Sequence, residues 1–252
     1  MRTRGNYIRF GIYAAFILLI LFAWQEAAKN TNFRILLSSP ELIMAYLLEH
    51  HVFLLKATLA TLYESVAGLA IATIFSFAIM IICFYIPRFM EFILPIMVTS
   101  QVIPLITLAP LFILIFGIGY ESKIMMAALI CFFPIFINFA NGVKMIPRNI
   151  MELMFIYNAT KTQLITRVYF PLSLPFIMTG LKVAATLSVI GAIVAEFNGT
   201  EIGLGKNLFL AAKRLEPELM MNSLFLSALL GGFLYISIYL IEKRFGKWYL
   251  KA

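Results

Sequence analysis

Residues 152–194 begin Glu152-Leu153-Met154-Phe155-Ile156-Tyr157-Asn158 and continue as ATKTQLITR. After Val168-Tyr169-Phe170-Pro171 comes the run LPFIMTGLKVAATLSVIGAIV from Leu174 to Val194. That last run decides the fold class. It carries one charged side chain, Lys182, and a helix of about 20 apolar residues crosses roughly 30 Å of hydrocarbon.

The whole chain has the same character. Of its 252 residues, 62% are hydrophobic and 13% charged, where a soluble domain has about half and about a quarter. A soluble fold of this length has too little interior for so much apolar surface. The net charge of +8 is spread in short basic clusters between apolar runs, as membrane loop anchors are. It forms no continuous basic face for nucleic acid. Cys83 and Cys131 lie inside apolar runs and read as small buried hydrophobes. His50-His51 precedes an apolar run with no metal-ligand spacing around it.

Six runs are long enough to span: Ile8 to Trp24, Ala57 to Ile86, Phe92 to Phe116, Ile124 to Ala140, Leu174 to Val194, and Ser223 to Ile241. The expectation is an all-α membrane protein with six transmembrane helices. Residues 1–55 hold the first helix and an external segment, and residues 56–252 a core with an inner loop at 145–171. The first run follows Arg2 and Arg4, as a signal peptide would, but Ala23-Trp24-Gln25-Glu26 is a poor cleavage site.

Lys and Arg placement sets the orientation. With a cytoplasmic N-terminus, the inner side holds Arg2, Arg4, Arg9, Arg88, Lys144, Arg148, Lys161, Arg167, Lys243, Arg244, Lys247 and Lys251. The outer side holds Lys29, Arg34, Lys56, Lys123, Lys206, Lys213 and Arg214. The inner side is richer, so both termini are expected in the cytoplasm.

Two spans carry a further signal. The third contains Pro95, Pro104 and Pro110, and each interior proline removes a helix hydrogen bond. It reads either as a kinked packing helix or as a bent helix beside a transport path. The fifth places Gly180, Ala184, Ser188 and Ala192 at four-residue spacing, with Gly191 and Ala195 close by. Such a face lets another backbone approach closely, within the chain or at a subunit interface.

The inner loop resembles the coupling loop of binding-protein-dependent ABC importer permeases, whose pattern is E-A-A, three residues, G, nine residues, I-x-L-P. Glu152 and Pro171 match it. Leu153 and Met154 replace the alanines, Asn158 the glycine, and Val168 and Phe170 the isoleucine and leucine. The pattern looks like two short helices joined by a left-handed turn, a conformation asparagine tolerates next best after glycine. The resemblance continues in Thr61-Leu62 with Gly68, Leu108-Ala109-Pro110-Leu111, Ala195-Glu196 and Gly203-Leu204-Gly205. Within the superfamily the set looks most like the nitrate, sulfonate and taurine branch, which includes transporters of the thiamine pyrimidine precursor.

The resemblance implies a type I importer permease fold and a role moving a small solute inward across the bacterial cytoplasmic membrane. The cargo would be nitrate-, sulfonate- or taurine-like, or alternatively a vitamin precursor. It implies as partners two ABC ATPase subunits, an extracytoplasmic solute-binding protein, a second permease copy and membrane lipid. Glu152, Leu153, Met154, Asn158, Ala159 and Pro171 would form the ATPase-coupling site. No cofactor is expected on this chain: ATP would sit on the ATPase, and no G-x-x-x-x-G-K-[ST] loop occurs here. Candidate pathway or gating residues are Glu64, Gln101, Pro104, Lys182 and Glu196. Glu64 stands where that branch commonly carries arginine, and reads first as an anchor snorkelling near the outer surface. Lining the path, it would disfavour anionic cargo. Glu196 and Lys182, at opposite ends of the fifth span, read as polar anchors first and gating groups second.

Two other classes fit less well. A membrane enzyme would need convergent catalytic groups at one depth, and Glu64, Lys182 and Glu196 make no such set. An ion-driven carrier of repeated halves would leave the long inner loop without a role.

Overall fold

The computed structural model describes residues 19, 22–26, 28, 38–197 and 199–245, and every regular element among them is helical. Most of the expected first span lies outside the described residues.

Helix α1, Pro40–Glu49, starts at Ser39, whose hydroxyl accepts from the Leu42 N–H, with proline at the first helical position. That proline gives up no bond there, because the first N–H groups of a helix have no intrahelical partner. Helix α2, His51–Tyr85, has 35 residues, about 52 Å at 1.5 Å per residue. It begins ahead of the apolar run and ends where Pro87 forces Ile86 out of helical geometry (φ −127°, ψ 83°).

The expected third span is not one helix. It divides into α3, Pro87–Ser100, a 3-10 turn at Leu105–Thr107, and α4, Ala109–Phe116. Pro104 and Pro110 remove two backbone donors in quick succession, and the ladder does not re-form between them. Gly117 then ends α4 at φ +84°, a conformation available to glycine at no steric cost.

Helix α5, Tyr120–Lys144, contains the fourth span, and α6, Arg148–Ile156, follows. Helix α7, Lys161–Leu164, continues through a π turn at Ile165–Tyr169 into α8, Phe170–Glu196. Half of the expected inner loop is therefore the lower end of the fifth span. The π turn has a local cause: Pro171 offers no N–H to Arg167 and its ring would strike that carbonyl. The widened turn, in which Phe170 N–H donates to Ile165 O, avoids the clash. Helices α9, Leu204–Arg214, and α10, Pro217–Phe245, complete the chain.

Among the described residues four helices are long and apolar enough to cross a membrane: 51–85, 120–144, 161–196 and 217–244. The six-span count is not confirmed among the described residues, because the third span is divided and most of the first lies outside them.

Helices α5 and α8 form the centre and pack antiparallel. A Cβ on Gly180 would lie 2.8 Å from Pro134 O, and one on Gly191 2.8 Å from Ala127 Cα. Between them Cys131 Sγ approaches Ala184 O at 3.2 Å. The small-residue face thus meets the chain's own α5 and not a second subunit. Helix α2 packs parallel to α5, with Gly68 against Ala127 and Ser76 Oγ donating to Phe132 O at 3.3 Å. Small and polar residues line the close helix contacts, Met80, Phe136, Phe139 and Ile177 fill one core cluster, and Ile74, Phe75 and Leu229 are exposed. Lipid does not drive apolar side chains inward, so close backbone packing holds the bundle.

Candidate functional site

The loop between α6 and α8 is built from backbone rules. Asn158 adopts φ +51°, the left-handed conformation expected from the sequence. Its N–H donates to Phe155 O at 3.0 Å, and Ala159 N–H reaches back to Met154 O at 3.0 Å. This pair of bonds is the Schellman ending, which closes carbonyls that α6 would leave open. One residue later Thr160 opens α7 with a capping box. Its hydroxyl accepts from Gln163 N at 3.3 Å while Gln163 Oε1 accepts from Thr160 N at 2.9 Å. The two helices are joined with little slack.

Helix α6 has no buried residue. Leu153 is 50% exposed, Ile156 73%, Tyr157 76% and Phe155 84%, while Met154 is partly covered. Glu152 is exposed and pairs with Arg148 one turn back at 3.1 Å. Such an apolar helix standing off the end of a bundle leaves an exposed apolar surface without a partner in this chain's described residues. Below it, Lys161 Nζ donates to Tyr85 O at 3.3 Å, and Phe84 stacks on Tyr169 at 4.5 Å. The turn at Asn158 thus joins α6 to the continuous 161–196 helix, and these contacts tie that helix to the end of α2. Pro171 sits at the start of α8, behind the π turn.

At the opposite end lies a buried polar cluster. Thr61 Oγ1 donates to Glu196 Oε1 at 2.6 Å and accepts from Leu204 N at 3.0 Å. Glu196 Oε2 accepts from Gly205 N. A carboxylate thus caps the N-terminus of α9, where the helix dipole favours negative charge. Gly203 and Gly205 press against it so closely that a Cβ on Gly203 would lie far inside van der Waals contact with the carboxyl. Gly203, at φ +159°, has no side chain to collide there. Glu64 is fully buried beside Glu196 and does not snorkel. Lys123, 3% exposed, donates to Ile118 O at 2.7 Å and Gly119 O at 2.9 Å.

Lys182 is placed by an ion pair with Glu242 of α10 at 2.8 Å, both side chains mostly covered. Gln101 and Pro104 are exposed in the break between α3 and α4. The pathway candidates therefore fall into three separate places: Glu64 with Glu196, Gln101 with Pro104, and Lys182 by itself among the candidates. Thr61, Lys123 and the Thr160–Gln163 box were not expected as site residues. The box was legible as T-x-x-Q ahead of a helix, whereas the other two depend on contacts far apart in sequence.

A bundle of membrane-spanning helices with a short exposed helix pair at one end defines an integral membrane transport component. Residues 85–250 match the family described as binding-protein-dependent transport system inner membrane component. The chain belongs to this family. It is 37% identical to the formylaminopyrimidine transport permease protein of Halalkalibacterium halodurans, over 75% of this chain and 76% of that protein. It is 32% identical to the riboflavin transport system permease protein of Chloroflexus aurantiacus, over 92% and 88%. The taurine transport system permease protein of Escherichia coli matches at 25%, over 62% and 56%. The chain is a multi-pass inner-membrane permease component of an ATP-driven importer. Membership implies partnership with an ATPase and a solute-binding protein.

Proposed function

We propose that two copies of this chain form the membrane path of a type I importer, with ATP bound and hydrolysed on two separate ATPase chains. The α6–α7 unit, with Glu152, Leu153, Met154, Asn158, Ala159 and Pro171, docks on the ATPase. Both termini face the cytoplasm with it. The observation that carries this reading is α6 itself, an apolar helix with no buried residue held by a tight turn. ATPase closure moves α6, and the continuous 161–196 helix carries that motion across the membrane.

The path runs beside the break between α3 and α4, lined by Gln101 and Pro104. Non-helical backbone at membrane depth is tolerated where protein or a water-filled cavity meets it. Glu64, Lys182 and Glu196 act as structural polar groups around that path, and lipid covers the outer faces of α2 and α10.

The cargo is a nitrogen heteroaromatic of the vitamin-precursor kind, in preference to a sulfonate. The formylaminopyrimidine permease matches at higher identity than the aliphatic sulfonate and taurine permeases do. The test is ATP-dependent uptake into proteoliposomes holding this chain, its ATPase and its binding protein, with labelled formylaminopyrimidine, riboflavin and taurine compared. Uptake of taurine alone would sink the cargo assignment, and ATP-independent uptake would sink the importer.

A further inference from the structure

Glu64 and Glu196 pose a charge problem that the coupling reading does not use. Both are essentially inaccessible, at 0% and 1% exposure. They lie on different helices, brought to one place by Thr61, which stands one turn before Glu64 on α2 and bonds directly to Glu196. Their surroundings are unequal. Glu196 receives a hydroxyl proton from Thr61 and a backbone N–H from Gly205, the environment of an ionised carboxylate. Neither oxygen of Glu64 meets a donor. A carboxylate buried without donors is among the costliest groups in a protein interior, and a second carboxylate beside it adds repulsion.

One proton resolves this. On Glu64 it makes that side chain a neutral acid and lets it donate to Glu196. The buried charged group at this end of α5, where Tyr120 packs on Tyr63 of α2, is Lys123, whose ammonium is held by Ile118 O and Gly119 O. One cation then balances one carboxylate, and the buried set is neutral.

We propose that Glu64 and Glu196 share a single proton carried on Glu64, and that this acid–carboxylate pair is a pH-sensitive clamp holding α9 onto α2 and α8. Glu64 is a positioning residue: it steadies Glu196, and Glu196 together with Thr61 fixes the N-terminus of α9. Opening the clamp exposes Glu64 to water, where it ionises and releases the proton. Raising the pH therefore favours the open form, by up to about tenfold per pH unit for one proton released. The clamp stands on this chain's geometry and does not depend on the cargo.

The experiment uses the permease–ATPase complex in lipid nanodiscs, as wild type and E64Q. Infrared spectra read the carbonyl stretch of an un-ionised carboxylic acid, and hydrogen exchange reads the protection of the first turn of α9. Wild type should show an acid band at neutral pH that E64Q lacks. Its α9 protection, corrected for intrinsic exchange, should fall with rising pH while that of E64Q stays flat. No acid band in wild type, a band that survives in E64Q, or equal pH responses would each overturn the proposal. Should E64Q fail to assemble, wild type alone decides: α9 protection should fall in step with loss of the acid band as the pH rises, and protection that stays flat while the band is lost would overturn the proposal.

Discussion

Lys182 Nζ lies 2.8 Å from Glu242 Oε2, joining the middle of α8 to the C-terminal end of α10 with about a sixth of each side chain exposed. Removing one member of a pair this covered takes a close opposite charge from the other, which keeps its burial cost. Lys182→Met should destabilise the folded permease by roughly 1–3 kcal/mol. Lys182→Met with Glu242→Leu should recover most of that loss. Thermal unfolding in detergent across the double-mutant cycle measures it, and additive losses would show that the two residues do not act as a pair.

Asn158 supplies the left-handed residue on which the coupling turn depends. Asn158→Gly should keep ATPase copurification and uptake at wild-type level. Asn158→Val should lose both, since a left-handed β-branched residue costs on the order of 1–2 kcal/mol or more. Equal behaviour of the two variants would show that the turn is not needed in the assembled transporter.

Helix α6 contributes nothing to the core, so changes on it should leave the fold intact. Glu152→Arg and Phe155→Asp should insert and unfold as wild type does while losing the ATPase on purification. Arg148 is mostly exposed beside Glu152, and losing that pair alone changes stability little. Retained ATPase binding in Phe155→Asp would remove α6 from the docking surface.

Gly180 and Gly231 make a matched contrast. A methyl group at Gly180 meets Pro134 O at 2.8 Å, whereas one at Gly231 meets no atom of the chain within 4 Å. Gly180→Ala should lower stability by about 1–3 kcal/mol, the usual range for overpacking. Gly231→Ala should be neutral or stabilising by up to about 1 kcal/mol, through helix propensity. Loss of uptake in Gly231→Ala with unchanged stability would place that face of α10 at an interface with another chain.

The sequence by itself determined what depends on neighbours along the chain. The run from Leu174 to Val194 required lipid as its solvent, and the spacing from Glu152 through Asn158 to Pro171 required a turn that asparagine could make. Pro104 and Pro110 marked a disturbed helix. Each of these follows from local backbone geometry or from apolar length, which a linear reading holds in full. Only the tertiary structure decided that those prolines break the span outright. The small face of α8 turned out to meet the chain's own α5. The carboxyls of Glu64 and Glu196, expected as separate polar anchors, lie together. The reason is physical: a buried charge is defined by what surrounds it, and Thr61, Lys123 and Gly205 gather at these carboxyls from α2, α5 and α9.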